Sequence, residues 1–297
     1  MTRGTAPEQG DAGLDSRAVR RSFDAASTDY DAAAVLQKEV RTRLLSRLEF
    51  VKLEPAVVLD LGAGTGHASR ALKDRYPKAH VIAVDVAHGM LVEAKRRRGW
   101  LRRFDRLCGD AGQLPLKDCS VDLVFSNLML QWCDPPDRVL AEVQRVLKPG
   151  GLFTFASLGP DTLRELRIAW SEVDDRPHVH RFIDMHDLGD ALVRARLAEP
   201  VLDVEHFTLT YQDVRSLMKE LKAIGARNAA AGRSPGLTGR HALRTLESAY
   251  ESFRRDGVLP ATYEVVYGQA WGNMNETRAV RGGGEVRIPL DSLRTRR

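Results

Sequence analysis

The stretch VVLDLGAGTGHAS, from Val57 to Ser69, decides how the rest of this sequence is interpreted. Its apolar first half predicts a buried strand, Gly62, Gly64 and Gly66 follow at alternate positions, and a helical pattern comes next. Because glycine has no Cβ, such a turn brings backbone amides and the start of a helix close to a ligand. A glycine turn also joins a strand to a helix without any ligand, so the motif alone leaves both interpretations open.

Two acidic residues stand at the ends of the next predicted strands. Asp85 closes HVIAVD, and Asp110 closes RLCGD. A carboxylate in the first position can accept hydrogen bonds from ribose hydroxyls, and one in the second can reach an adenine. Taken singly, each acid can also cap a loop. Together with the glycine turn, they predict a nucleoside site at the carboxyl edge of a sheet.

The residues around the turn distinguish between two classes of nucleoside ligand. The spacing is GxGxG rather than GxGxxG, and His67 follows the third glycine. Asp60 lies inside the strand, two positions before Gly62. A carboxylate there would repel a pyrophosphate but suits a ligand with a cationic amine. The pattern therefore favours S-adenosylmethionine over a dinucleotide.

Predicted strands and helices alternate along most of the chain, at a spacing typical of a parallel sheet with helices on both faces. We therefore predict an α/β fold with a doubly wound, mostly parallel sheet. A single domain is expected over residues 17–272, with a helix-rich insert near 159–240. Residues 1–16 and 273–297 are polar and contain glycine, so they are predicted to be flexible tails.

One helix start in the insert has a specific signature. Thr162 and Glu165 stand three positions apart in TLRELRIAWSEV, which matches the capping-box pattern. The sequence therefore predicts that these two side chains cap this helix.

Bulk composition restricts the class of protein. The chain has 297 residues, is 43% hydrophobic and carries a formal net charge of +5, which suits an acidic partner and equally a solubilising surface. Cys108, Cys119 and Cys133 lack paired metal-ligand spacing, so reduced thiols and no metal are expected. No apolar run approaches the roughly 20 residues that span a bilayer. We expect a cytoplasmic protein with no membrane and no nucleic-acid partner.

Five stretches in order, VLDLGAGTG, VIAVD, GDAGQLPL, DLVFSNLMLQW and VLKPGG, resemble the successive motifs of class I S-adenosylmethionine-dependent methyltransferases. The resemblance implies a Rossmann-like fold with a helical substrate cap and assigns residues to parts of the cofactor. These are Gly62, Gly64 and Gly66 for the methionine moiety, Asp60 for its amino group, Asp85 for the ribose, Asp110 with Ala111 for the adenine, and Ser126 with Asn127 beside the transferred methyl.

Three further stretches, FDAASTDYDAAAVLQ, LGPDTLRELR and HRFIDMHDLGDAL, resemble the malonyl-acyl-carrier-protein O-methyltransferases of biotin synthesis, the BioC family. That resemblance implies methyl transfer to the free carboxylate of a malonyl thioester, carried by acyl-carrier protein or by coenzyme A. A carboxylate is already ionised near neutral pH, so the reaction needs no general base. Catalysis would then consist of positioning and desolvation.

Candidate substrate residues follow from this chemistry. A malonyl carboxylate suits a guanidinium, and Arg181, outside a regular helix, is favoured over Arg164 and Arg167, whose helical spacing is typical of a solvated face. Tyr30 and Gln131 are expected to border the substrate, although Tyr30 can equally be a core residue. The remaining candidates are Gln37, Trp132, His180 and His186 near the pocket, and Arg194, Arg196, Arg227, Arg233 and Arg240 as a dock for an acidic carrier protein.

Three other functions remain open from the sequence. A methyltransferase for small molecules or quinone precursors would share the cofactor half but need a general base. An arginine hydroxylase is possible because the mitochondrial complex I assembly methyltransferase-like proteins look similar in part. A non-catalytic assembly protein would keep the fold, but the intact glycines and acids argue against it. The oligomeric state does not follow from the sequence.

Overall fold

The computed structural model describes residues 13–229 and 239–273. Seven strands form one sheet in the order β3-β2-β1-β4-β5-β7-β6. The strands are β1 (Val57–Leu61), β2 (His80–Asp85), β3 (Asp105–Cys108), β4 (Val121–Asn127), β5 (Leu147–Leu158), β6 (Ala198–Tyr211) and β7 (Leu259–Trp271). Ten helices are described: α1 (Ser16–Ala26), α2 (Tyr30–Ala33), α3 (Val35–Arg47), α4 (His67–Arg75), α5 (His88–Arg97), α6 (Asp137–Val146), α7 (Arg164–Ser171), α8 (Met185–Arg194), α9 (Val214–Ala223) and α10 (Arg240–Glu251).

The sheet reverses its winding at β1, which decides where a ligand can bind. β1 pairs in parallel with β2 on one side and with β4 on the other, while β7 runs antiparallel between β5 and β6. The prediction of a doubly wound, mostly parallel sheet is confirmed. Ligands of such sheets bind beyond the carboxyl ends of the strands at the point of reversal. In this chain the glycine turn after Leu61 lies at that point.

Two apolar layers cover the sheet. One packs side chains of α3, α4, α7, α9 and α10 against it, with Leu44, Leu72 and Leu246 fully buried. The other packs α6 and α8 against the opposite face, with Leu140 and Leu188 fully buried. Strand residues buried on both faces are typical of a sheet with helices on both sides. Within the described part of the chain, no helix is both long and apolar enough to cross a membrane.

The predicted insert is not wholly helical. Its β6 forms the edge of the common sheet and pairs with β7 along nearly its full length. The division into a domain over 17–272 and a cap near 159–240 therefore stays a proposal. Within that proposal, the cap consists of the helices and loops around β6, and β6 itself belongs to the sheet. The predicted tails lie largely outside the described residues.

The predicted capping box at the start of α7 is wrong. The residue before this helix is Leu163, in a left-handed conformation with φ 56°, and its side chain makes no cap. Thr162 Oγ1 instead donates to the Glu264 carbonyl, and Glu165 accepts the Thr262 backbone N–H of β7 at 3.0 Å. Both side chains tie α7 to the neighbouring strand, and this long-range pairing takes the place of the local cap.

Candidate functional site

The three glycines of the turn serve different purposes. Gly62 and Gly66 have φ of +75° and +81°, where a side chain would also collide, with Met129 at the first and with Ala94 at the second. Gly64 has φ +53°, and a Cβ built there meets nothing within 4 Å. The open space lies on the side of the turn where a ligand would approach. The fit of a ligand against bare backbone is therefore clearest at Gly64.

Asp85 organises the turn from the end of β2. Its Oδ2 accepts the Gly64 N–H and its Oδ1 accepts the Ala87 N–H, both at 2.8 Å. Burial raises the pKa of Asp85, and the two backbone donors oppose that shift. The carboxylate thus both fixes the turn and lines the cavity beside it, where ribose hydroxyls can compete for its lone pairs.

A first cavity of about 1180 Å³, open at its mouth, lies over the carboxyl ends of β1, β2 and β4. Its polar lining matches the residues expected to bind the cofactor. They are Gly62, Gly64, Asp85, Asp110, Ala111 and Asn127. Asn127 Oδ1 is buried and has no hydrogen-bond partner among the described residues, although its Nδ2 donates to the Gln37 carbonyl at 3.3 Å. A buried acceptor without a donor favours a ligand that supplies one.

Three expected cofactor residues do not line this cavity. Gly66 packs against α5, and Ser126, fully buried, donates from Oγ to the Leu61 carbonyl at 2.9 Å. Asp60 is 1% exposed beneath the turn and accepts a hydrogen bond from Ser69 Oγ. All three lie on the side of the turn that faces away from the cavity. A direct contact of any of the three with the cofactor stays an unsupported prediction.

Burial changes the pH at which the Asp60 carboxyl ionises. It raises the pKa of this carboxyl from 3.8 to about 7, against the opposing effect of the Ser69 hydrogen bond. Between these values the folded protein keeps a proton that the unfolded chain releases, so the free energy of unfolding falls as pH rises through this window.

Asp60→Asn keeps a partner for Ser69 and removes the buried charge. We expect the free energy of unfolding of the variant, minus that of wild type, to rise by about 3 kcal/mol between pH 4 and pH 8. Urea unfolding of both proteins across this range measures the difference. A difference that does not change with pH would contradict the assignment of a protonated Asp60.

A second cavity, of about 740 Å³, adjoins the first. Four side chains line both cavities and form the wall between them: Phe23, Tyr30, Leu128 and Trp132. The rest of its lining is about half apolar and comes mainly from α3, β5, α7, α9, β7 and the segments 162–163, 178–182 and 224–228. A partly apolar chamber separated from a cofactor cavity by a few side chains can hold an acceptor group away from water.

Several polar side chains also line the second cavity: Gln37, Gln131, Thr162, His178, His180, Arg227 and Asn228. Gln131 donates to the Leu128 carbonyl at 2.8 Å, while its Oε1 is buried without a partner among the described residues. Arg227 contributes the one guanidinium found in the described lining. Burial, and secondarily the charge of Asp85, raise the pKa of Tyr30, so its phenol is neutral. Tyr30 lines both cavities and Gln131 the second one, and their contact with a substrate stays a prediction.

The arginines favoured from sequence lie elsewhere. Arg181 is exposed and does not line the second cavity, although its neighbours His180 and Phe182 do. Arg164 is exposed beside Asp161, and the Arg167 guanidinium donates to the Pro160 and Thr162 carbonyls. Arg227 was considered from sequence only as part of a dock. Arg227 follows α9, is exposed, and borders the second cavity, which no local pattern reveals.

The predicted basic dock does not form as proposed. Arg194 ends α8, on one face of the sheet, and is paired with Asp137 at 2.8 Å. Arg240 begins α10, which packs on the opposite face. Arg233 lies outside the described residues. Because Arg194 and Arg240 belong to opposite layers, the five arginines do not share one surface.

Asp31 holds the N-terminal helices over the first cavity, and sequence reasoning missed it. Its carboxylate accepts hydrogen bonds from Thr65 Oγ1 of the glycine turn at 2.6 Å and from the Arg97 guanidinium. His67 Nε2 lies 3.3 Å away. Its two donors are 34 and 66 positions distant in sequence, so no local signal identifies this contact.

Asp161, His206 and Glu264 bring three potential metal-ligating atoms within 4.8 Å of one another. Two of the residues are exposed, and a Glu264 oxygen already accepts the Asp161 N–H at 2.7 Å. We assign no function to this group. The three cysteines are free.

Comparisons with known proteins agree with this geometry. A family model described as a methyltransferase domain matches residues 59–155. A malonyl-[acyl-carrier protein] O-methyltransferase of Methylovorus sp. is 57% identical over 264 residues, which cover 87% of this chain and 89% of that protein. Another of the same name, from Halorhodospira halophila, is 53% identical and covers 96% of this chain and 97% of its own length.

Solved structures support the fold. The [4+2]-cyclase SpnF matches with a TM-score of 0.58 and 20% identity, covering 91% of this chain and 100% of that chain. The phosphoethanolamine N-methyltransferase 2 of Haemonchus contortus, in complex with S-adenosyl-L-methionine, matches with a TM-score of 0.52 and 16% identity, covering 86% of this chain and 60% of that chain. At these identities the likeness concerns the fold alone.

Proposed function

The chain belongs to the malonyl-[acyl-carrier protein] O-methyltransferase family of S-adenosylmethionine-dependent enzymes, and from this membership we propose that it methylates the free carboxylate of malonyl-acyl-carrier protein. The reaction would belong to biotin synthesis, as the sequence resemblance implies. The observation that carries the proposal is the relatives' identity of more than 50% over nearly the whole chain, cap residues included.

The two cavities support this acceptor. The first fits an adenosine with a methionine tail, since it combines the bare backbone of Gly64 with Asp85 and Asp110. The second combines apolar side chains with amides, two histidines and one arginine in its described lining. His178 also lines it, and its Nε2 lies 2.8 Å from Asp174 Oδ1. A malonyl carboxylate is already ionised near neutral pH and needs no base, whereas a phenol or an enol would need one.

The residues of the second cavity would act by position and desolvation. The cofactor, when bound, supplies a methyl group on a positively charged sulfonium. Apolar side chains such as Leu163 and Phe182 would keep water from the acceptor carboxylate, which raises its nucleophilicity. Tyr30, which lines both cavities, and Gln131, which lines the second, would orient the acceptor toward the first cavity. Asn127 Oδ1 would accept from a polarised group on the cofactor side.

The proposal is tested with a panel of acceptors. We expect methyl transfer to malonyl-acyl-carrier protein, slower transfer to malonyl-coenzyme A, and none to acetyl-acyl-carrier protein, which lacks the free carboxylate. Initial rates with labelled S-adenosylmethionine measure each acceptor. Transfer to a phenolic acceptor but not to the malonyl thioesters would contradict the proposal.

Arg227 and Arg181 are expected to contribute to acceptor binding in different ways. Arg227 lines the cavity, so we propose that its charge draws the carboxylate inward; Arg181 lies outside and would act by long-range attraction. Arg227→Ala should raise the Michaelis constant for malonyl-acyl-carrier protein about tenfold, and Arg181→Ala about threefold or less.

Michaelis constants for both substrates at low and high salt measure this difference. The constant for S-adenosylmethionine should stay unchanged in both variants. A larger effect of Arg181→Ala than of Arg227→Ala would instead assign carboxylate binding to Arg181.

A further inference from the structure

His180 is a partly buried polar residue of the second cavity. Its Nε2 is buried and has no hydrogen-bond partner among the described residues. A buried ring nitrogen without a partner is costly to the folded state, and such groups are rare unless they serve a ligand. The unpartnered atom belongs to a residue that lines the cavity.

Aromatic packing fixes the position of this imidazole. Its centroid lies 4.9 Å from Trp132 and 4.4 Å from Phe182. Trp132 is one of the four side chains that line both cavities. The imidazole therefore packs against a side chain that also borders the cofactor cavity.

The imidazole is uncharged under working conditions. Burial, reinforced by the nearby Arg167 guanidinium, lowers the pKa of His180 to about 4. At neutral pH one of its two ring nitrogens carries a hydrogen and can donate it. A neutral donor is thus available in an apolar setting, a combination that Arg227 and Arg181 do not offer.

The chemistry of ester formation favours such a donor. A carboxylate that becomes a methyl ester loses its negative charge as the new bond forms. A cation in direct contact would stabilise the charged acceptor more than the transition state, and would slow the reaction. A hydrogen bond from a neutral donor also orients the carboxylate, but it stabilises the charged acceptor less than a cation does. Its strength depends less on the full negative charge of the carboxylate.

We propose that neutral His180 donates a hydrogen bond from Nε2 to the acceptor carboxylate and thereby distinguishes malonyl from uncharged acyl thioesters. This inference rests on the proposed function. It assigns direct contact to the imidazole, while the charge of Arg227 draws the carboxylate into the cavity.

The test compares the binding of malonyl- and acetyl-acyl-carrier protein by isothermal titration, with S-adenosylhomocysteine present so that no methyl group is transferred. Wild type should bind the malonyl form more tightly. His180→Phe keeps the ring packing and should reduce this preference at least about tenfold, the usual loss for a hydrogen bond to a charged group. His180→Asn, which keeps an N–H donor, should retain part of it. His186→Phe is the matched control, because the His186 side chain is 84% exposed on α8.

The outcomes separate this inference from the function on which it rests. Thermal unfolding and S-adenosylhomocysteine affinity of His180→Phe should match wild type, since the substitution conserves volume. If His180→Phe keeps the malonyl preference while wild type methylates malonyl-acyl-carrier protein, the inference alone is overturned. If wild type transfers no methyl group to malonyl-acyl-carrier protein, the proposed function and the inference both fail.

Discussion

Replacing Asp85 with alanine is expected to weaken S-adenosylmethionine binding about a hundredfold, an effect of roughly 3 kcal/mol. The carboxylate lines the first cavity, and its remaining lone pairs can accept hydrogen bonds from a ribose. The substitution also removes the acceptor for the Gly64 and Ala87 N–H groups, so the turn itself loses support. Isothermal titration measures the affinity, and circular dichroism verifies that the variant is folded.

Asp105→Ala is the matched control for this experiment. Asp105 begins β3 on the edge of the sheet, is 59% exposed, and pairs with Arg98 and His80 away from the cavity. We expect its S-adenosylmethionine affinity to equal that of wild type. Near-normal affinity in folded Asp85→Ala would remove the ribose assignment.

The second large effect is expected at Tyr30. Its side chain lines both cavities. Tyr30→Ala would join the two cavities and admit water beside the acceptor, so we expect kcat to fall about a hundredfold through lost positioning and desolvation. Tyr30→Phe keeps the ring and should retain most of the activity. Steady-state kinetics with malonyl-acyl-carrier protein measure both variants.

Comparing the two Tyr30 variants separates the role of the ring from that of the hydroxyl. An equally large loss in Tyr30→Phe would assign the hydroxyl, rather than the ring, to the reaction. A normal kcat in Tyr30→Ala would show that the wall between the cavities does not matter for methyl transfer.

The sheet and the cofactor side could be predicted from the sequence because their signals are local. An apolar run followed by the glycines after Leu61, and an acid at the end of HVIAVD, identify two adjacent strand ends without knowledge of the rest of the chain. The structure brings Asp85 and Gly64 to 2.8 Å of each other, as expected for neighbouring strands. The turn, and with it the class of ligand, follows from a continuous segment.

The substrate side could not be predicted in the same way, because distant segments build it. Arg227 and His180 come from two loops whose fold no periodic pattern encodes, and Asp31 finds its donors in the glycine turn and in α5. Thr162 and Glu165 matched a local capping pattern, but β7 competes for both side chains. Where tertiary contacts compete with a local motif, the sequence pattern identifies the residues and not their partners.

The central claim is that the acceptor is the malonyl carboxylate itself, and one measurement tests it directly. Malonyl-acyl-carrier protein is incubated with the enzyme and S-adenosylmethionine, and the prosthetic group is analysed by tandem mass spectrometry. The account predicts one added methyl group, located on the terminal carboxylate as an ester, and none on acetyl-acyl-carrier protein treated in the same way. An unmodified malonyl group, in a preparation shown to bind S-adenosylmethionine, or a methyl group on carbon rather than oxygen, would contradict it.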